Sequence, residues 1–180
     1  PGGGTVQKTY DSKNLLTSST DLRGVTTTYE YNGQNLLSKV SYASRTVTYE
    51  YTKGQATTVT DPMGRTTSKA YNEAGLLLSV TDAQENTTTY TYDNKGNVLT
   101  VTDAAGNVTA KEYDAGGSLV KSTDANGNVT SYTYNGNLKM TSMTLPEGAT
   151  ILYEYDGEDR LVKTVYPDGT TAENTYDAGG

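Results

Sequence analysis

The sequence contains no Cys, no His, no Trp and no Phe, and only four Pro. Without His or Cys there is no Ser/His or Cys/His nucleophile pair, no thiolate ligand for zinc and no disulfide framework. Any chemistry would fall to Asp, Glu, Lys, Tyr or Ser, so no catalytic residues are expected and the chain does not read as an enzyme. No apolar run approaches the roughly 20 residues that a membrane-spanning helix needs. Nor does a charged-then-apolar signal segment open the chain. It starts Pro1-Gly2-Gly3-Gly4, a Gly-rich end at 1–4 without a Met, and reads as an excised or processed piece. The missing Cys fits the cytoplasm and a Cys-poor secreted protein equally well. Clustered basic charge is also missing: 14 Lys and Arg stand against 21 Asp and Glu, for a net charge of -7. Phosphate binding needs clustered cations, so no nucleic-acid partner is expected.

What the sequence does have is Tyr. All of its aromatic side chains are Tyr, 16 in 180 residues. An anchor Tyr followed by a small polar residue recurs at Tyr10, Tyr31, Tyr51, Tyr71, Tyr92, Tyr113, Tyr134, Tyr155 and Tyr176, at intervals of 20 or 21 residues. Periods of this kind mark repeat architectures, and the nine anchors make 1–180 a single array. Five anchors close a Tyr-x-Tyr pair (Tyr29/Tyr31, Tyr49/Tyr51, Tyr90/Tyr92, Tyr132/Tyr134, Tyr153/Tyr155). Lys8, Lys69 and Lys111 take the first position elsewhere, where a Lys stem can cover apolar surface if its ammonium reaches water.

Each repeat carries two turn signals. One follows the anchor, as in Tyr31-Asn32-Gly33, Tyr92-Asp93-Asn94-Lys95-Gly96 and Tyr155-Asp156-Gly157. The other lies about ten residues on, at Asp61-Pro62-Met63-Gly64, Asp82, Asp103-Ala104-Ala105-Gly106, Asp124-Ala125-Asn126-Gly127 and Pro167-Asp168-Gly169. Asp accepts backbone hydrogens, Pro presets the next residue, and Gly takes the left-handed conformation that closes the turn. Two turns per repeat predict two strands per repeat, rich in Thr, Val, Leu and Tyr. Such short connections allow only antiparallel pairing. The expected fold is therefore all-β: antiparallel hairpin repeats of about 21 residues.

Alternation sorts the faces. Thr88, Tyr90 and Tyr92 share one side of their strand and Thr87, Thr89 and Thr91 the other. Tyr-x-Tyr is then a same-face stripe. It is expected to join the stripes Leu78/Val80 and Leu99/Val101 on the better-packed face, with Thr, Ser, Asn and Lys on the wetter one. Around Gly136 the turn after the anchor is expected to shorten to Tyr134-Asn135-Gly136. Eight repeats and partial ends give roughly 16 to 18 strands, about 80 Å across if flat, so twist should curl the sheet. Its Tyr face needs a cover, and its terminal strands offer unpaired edges.

The run Tyr92-Asp93-Asn94-Lys95-Gly96-Asn97-Val98-Leu99-Thr100-Val101-Thr102-Asp103-Ala104-Ala105-Gly106-Asn107 resembles the tyrosine-aspartate (YD) repeats of the Rhs family, and the likeness runs on through Tyr176-Asp177. The resemblance implies a β-sheet wall that spirals into a cocoon. Such walls belong to bacterial polymorphic toxins, insecticidal toxin complexes, wall-associated proteins and teneurins, so a secreted or cell-surface bacterial protein is implied, with a toxin as possible cargo. These parents are much longer, and the sequence lacks both their autoproteolytic segment and a variable toxic C-terminal domain. Asp61-Pro62-Met63-Gly64 resembles part of that segment, but it stands at an ordinary repeat turn and receives no proteolytic role.

Other candidates carry less. Asp61, Asp82, Asp103 and Asp124 make an acidic rail with copies about 9.6 Å apart if two strands separate them. That is too wide for side chains alone to complete a calcium shell or a glycosidase pair between successive repeats, so turn formation is the better reading and no metal or cofactor is expected. The Tyr stripe serves inward packing or, less readily, stacking of sugars or peptides. Asn86, Asn107 and Asn128 each begin an Asn-x-Thr triplet, best read as a turn Asn before a Thr-rich strand. Two functions stay open. The chain is a structural segment of a shell that encapsulates or displays a toxin, or it is a self-assembling extracellular filament or adhesive, carbohydrate-binding module. Its partners are accordingly further repeats of a parent chain, or identical copies paired through edge strands.

Overall fold

The computed structural model describes residues 5–177, which hold seventeen strands and no helix. The expected Gly-rich end at 1–4 lies outside the described residues. Packing divides the chain into two compact units, Pro1–Thr88 and Thr89–Gly180. The first contains β1 (Gln7–Tyr10), β2 (Leu16–Thr20), β3 (Thr26–Tyr31), β4 (Leu37–Tyr42), β5 (Arg45–Thr52), β6 (Gln55–Thr60), β7 (Thr66–Tyr71) and β8 (Leu77–Thr81). Each pairs antiparallel with the next. β9 (Thr87–Tyr92) reaches into the second unit, which continues with β10 (Val98–Thr102), β11 (Val108–Tyr113), β12 (Leu119–Thr123) and β13 (Val129–Tyr134). It ends with β14 (Met140–Thr144), β15 (Thr150–Tyr155), β16 (Leu161–Val165) and β17 (Thr171–Glu173). From β9 to β17 the pairing is the same meander. The all-β class and its hairpin repeats stand as the turn signals implied.

One five-residue turn is used fourteen times. In Asp93–Asn97, the Asp93 N–H donates to the Asn97 carbonyl (3.0 Å) and the Gly96 N–H to the Asp93 carbonyl (3.1 Å). Asp93 Oδ1 accepts from the N–H groups of Lys95 and Asn97, both at 2.9 Å. The fourth residue must be left-handed, and Gly96 sits at φ 87° because Gly carries no Cβ penalty there. The turns after Tyr31, Tyr134 and Tyr155 depart from the sequence expectation. Their Gly33, Gly136 and Gly157 are second residues without positive φ, and the left-handed position falls to Asn35 (φ 62°), Leu138 (φ 60°) and Asp159 (φ 61°). The turn at Asn135–Lys139 is therefore full length, not shortened at Gly136. Asp168 is the third residue of its turn, which opens at Tyr166.

Two connections break the rule. β4 and β5 are joined by Ala43 and Ser44 alone, and β5 and β6 by Lys53 and Gly54, with Lys53 at φ 51° and Gly54 at φ 83°. A two-residue hairpin turn of type I′ needs both residues left-handed. The longer flanking strands nearly restore the repeat, which explains the two 20-residue intervals after Tyr31 and Tyr51.

No hydrophobic residue described is fully buried, and Thr164, at 9% exposure, is the most enclosed. With no second layer over either unit's sheet among the described residues, stability rests on ladders, turns and cross-strand pairs, each such pair contributing about 0.2–1 kcal/mol.

Candidate functional site: the aromatic face

Register puts the Tyr and Val side chains in rows. Tyr29 faces Val40 and Val40 faces Val47; Tyr49 faces Val59; Tyr90 faces Val101; Tyr132 faces Met143. The Tyr and Val stripes thus share a face, as alternation implied. Leu78 and Leu99 need a correction: Tyr71 pairs with Leu77 and Ala70 with Ser79, so Leu78 is the extra residue of a β-bulge, and Leu99 holds the same place between Val98 and Thr100. A bulge breaks the two-residue period. Leu78 is 39% exposed.

Both members of each Tyr-x-Tyr pair are half-buried. The interior anchors from Tyr31 to Tyr155 are half-buried too, whereas Tyr10 and Tyr176 are exposed. Six anchors share one further bond. The phenol O–H donates to a carbonyl at the start of the preceding strand, that of its first residue or, at Ala56, its second: Tyr31 to Leu16 (2.9 Å), Tyr51 to Leu37 (2.7 Å), Tyr71 to Ala56 (3.2 Å), Tyr134 to Leu119 (2.9 Å), Tyr155 to Met140 (2.8 Å) and Tyr176 to Leu161 (2.8 Å). The reason lies in the register. β12 and β13 pair only from Lys121↔Ser131 to Thr123↔Val129, so the ladder stops short of Leu119. The phenol closes the open end of that hairpin and satisfies a carbonyl that the ladder leaves free. Burial raises the hydroxyl pKa of Tyr134 and Tyr155 above the ordinary phenol value, with smaller contributions from Tyr132 and Asp114 at Tyr134 and from Tyr153 at Tyr155. Both phenols stay protonated donors at neutral pH.

The opposite face is polar. Thr91 and Thr100 share a hydrogen bond (2.6 Å), as do Thr133 and Ser142 (2.6 Å) and Thr9 and Ser18 (2.7 Å). Lys39 pairs with Glu30, and Lys121 with Glu112, each at 2.8 Å.

The turn acids are engaged locally. The Oδ1 atoms of Asp61, Asp82, Asp103 and Asp124 each accept two backbone N–H groups. Their Oδ2 atoms take the Arg65 guanidinium (2.6 Å) or the amides of Asn86 (2.9 Å), Asn107 (2.8 Å) and Asn128 (2.8 Å). These side-chain partners are the largest cause holding all four carboxyls below the ordinary Asp pKa. The Asn-x-Thr residues are thus bonded to their turn acids. Gly64, Gly106, Gly127 and Gly169 take the left-handed position in their turns, and the Asp168 carboxylate holds the N–H and hydroxyl of Thr170 (2.9 and 2.6 Å). Among the described residues, no three carboxylate, His or Cys groups gather where a metal would sit.

Sequence reasoning missed the links between successive turns on the rim after the anchors. Lys13 Nζ donates to Asn35 Oδ1 (2.8 Å), Gln55 Nε2 to the Gly75 carbonyl (2.8 Å), Lys95 Nζ to the Ala115 carbonyl, and Asn137 Nδ2 to both oxygens of Asp159 (3.0 Å). Their partners lie 20 to 22 residues apart, so a donor one repeat before a turn acceptor was the available signal.

The RHS repeat family model matches residues 10–47, 51–84, 71–108, 113–150 and 135–171. No curated protein matches. Among solved structures, the crystal structure of TcdB2-TccC3-TEV is 22% identical at a TM-score of 0.76, covering 99% of this chain and 11% of that one. TcdB2-TccC3 without its hypervariable C-terminal region gives the same values. A Tc holotoxin pore from Photorhabdus luminescens is 15% identical at a TM-score of 0.55, over 92% of this chain and 11% of that one. At these identities the likeness establishes the fold. The chain spans about a ninth of the solved chains that it matches.

Proposed function

The chain belongs to the RHS repeat family, and from that premise we propose that it is a structural wall segment of a bacterial, secreted or surface-associated shell that encloses or displays a toxin. It is a repeat scaffold with no catalytic role. The observation that carries this reading is the aromatic face: a stripe of half-buried Tyr, with six anchors fixed by a phenol bond, over which no second layer lies among the described residues. A face of this kind gains from apposition to further wall or to contents. The toxin-complex proteins among the solved relatives support the cargo part of the reading. The evenness of the anchors across the two units supports reading 1–180 as one array, with the anchors and turn residues in structural roles. Calcium binding at the turn acids finds no support in this geometry, because their oxygens already hold neighbouring N–H groups.

A second reading, assembly of identical copies through edge strands, is favoured by one observation. β1 is exposed along its length, as is β17, and unpaired strand edges recruit other strands. Light scattering with negative-stain imaging separates the two. A wall segment gives small particles whose mass does not grow with concentration. Long particles that vanish when β1 is deleted would overturn the wall reading in favour of the filament.

A further inference from the structure

The two faces differ in charge as well as in aromaticity. Every Asp or Glu in a strand, namely Glu30, Glu50, Glu112, Glu154 and Glu173, falls on the polar face, since each alternates with the Tyr-bearing positions or pairs in register with polar-face residues. The charged strand residues of the aromatic face are all basic: Lys8, Arg45 and Lys69 in the first unit and Lys111 in the second. All four are exposed, and none makes a side-chain hydrogen bond or ion pair among the described residues, whereas Lys39 and Lys121 on the polar face are both paired. In a chain of net charge -7, this segregation gives the Tyr face strand cations and no strand carboxylate, whereas on the polar face each strand Lys, Lys163 included, stands in register with a Glu. In the first unit a recess of about 360 Å³ lies beside the Lys53-Gly54 turn, lined by Lys53, Lys69 and Tyr71 and also by the carboxylate-bearing Glu73.

We infer that the aromatic face of the first unit docks an acidic polypeptide, whose carboxylates meet Lys8, Arg45 and Lys69 and whose apolar groups lie on the Tyr and Val rows. Charge complementarity selects this occupant over a nucleic acid. Lys8 and Arg45 stand level in register, four strand spacings or about 19 Å apart, and Lys69 lies two strands beyond Arg45 and six residues along, about 22 Å away. A nucleic-acid strand brings a phosphate every 3.4 Å or so along the duplex axis and rewards clustered cations. Cations about a Debye length or more apart act singly, which suits carboxylates scattered along a chain with apolar residues between them. The wall reading supplies only the source of such a polypeptide, as shell contents or neighbouring wall.

Binding of fluorescent poly-L-glutamate to the full chain tests this, with a single-stranded oligonucleotide and poly-L-lysine as competing probes. Saturable binding that weakens with added salt is expected. Lys8→Gln with Arg45→Gln and Lys69→Gln should weaken it at least ten-fold. Lys39→Gln with Lys121→Gln and Lys163→Gln, which removes as many charges from the polar face, should change it less than two-fold. Lys8→Arg with Lys69→Arg should keep binding and checks that lost charge, not lost folding, is being read. No saturable binding at low salt would overturn the inference. So would equal losses in the two triple variants, or tighter binding of the oligonucleotide or poly-L-lysine than of poly-L-glutamate. Any of these leaves the wall reading standing, since particle size and shape decide that separately.

Discussion

The two faces are cut from the same strands, yet they hold them together differently. On the polar face, hydroxyl pairs such as Thr91 with Thr100 and ion pairs such as Lys39 with Glu30 link positions already joined by the backbone ladder. Such exposed contacts are worth little, because water and salt compete for each partner. On the aromatic face, the anchor phenol reaches a carbonyl where the ladder has stopped, and its ring covers neighbouring apolar groups. The difference teaches that a single-layer sheet needs its strong side chains where the backbone pairing fails. Two of the three Lys substitutions follow the partner: Lys8 and Lys111 face Ser19 and Ser122, where Tyr29, Tyr49 and Tyr90 face Val, whereas Lys69 faces Val80.

Removing a whole anchor should break the contrast most. Tyr155→Ala loses a half-buried ring and the bond to Met140, and should cost about 2–3 kcal/mol, below the usual range for a fully buried aromatic. Equilibrium denaturation with urea reads it, and a loss under about 0.5 kcal/mol would place the ring on solvent.

Turn chemistry should come next. Gly106→Val meets no atom within 4 Å of the new Cβ, but it must hold φ near 85°. The left-handed conformation costs an L-residue about 1–2 kcal/mol, so the melting temperature should fall by several degrees. Gly136→Ala, at a position without positive φ and also with open space, should be close to neutral. Equal losses would mean that the fourth position of the turn is not special.

Acid should act on both rims at once, because the carboxyls of Asp93, Asp114 and Asp156 after the anchors are lowered as are those of Asp82, Asp103 and Asp124 on the other rim. The carboxyl of Asp103 is held below the usual carboxylate range by the Asn107 amide and then by the Asn107 backbone N–H, and those of Asp82 and Asp124 have the matching amide as their largest cause. A depressed folded pKa gives stability that is fully present above the unfolded value, about 3.9, and is lost as pH falls through the folded one. Melting temperature should therefore be flat from neutral pH down to about 5 and decline below about 4. Asn replacement of Asp82, Asp103 and Asp124 together should flatten that decline.

Much of this was legible in the residues themselves. The Tyr interval, the Asp-x-x-Gly turns and the two-residue alternation together implied antiparallel hairpins and one Tyr-bearing face. Three features were not legible, each for a physical reason. Leu138 and Asp159 hold left-handed turn positions because the capping side chain of Asn135 or Asp156 and the flanking ladder fix the turn, overriding local preference. Leu78 and Leu99 fall in bulges, and a bulge shifts register without a residue type that announces it. The phenol bonds depend on where each ladder ends, which spacing alone does not reveal.

The most direct test uses adjacent residues on opposite faces of β13. Tyr134 donates to Leu119 across the open end of its hairpin (2.9 Å), whereas Thr133 bonds to Thr141 (2.8 Å) and Ser142 (2.6 Å) over a paired ladder. Tyr134→Phe, which removes only the hydroxyl, should cost about 1 kcal/mol in urea denaturation, and Thr133→Ala less than about 0.5 kcal/mol. Equal losses, or a larger loss for Thr133→Ala, would contradict the claim that the anchor phenols close the sheet where its ladder ends.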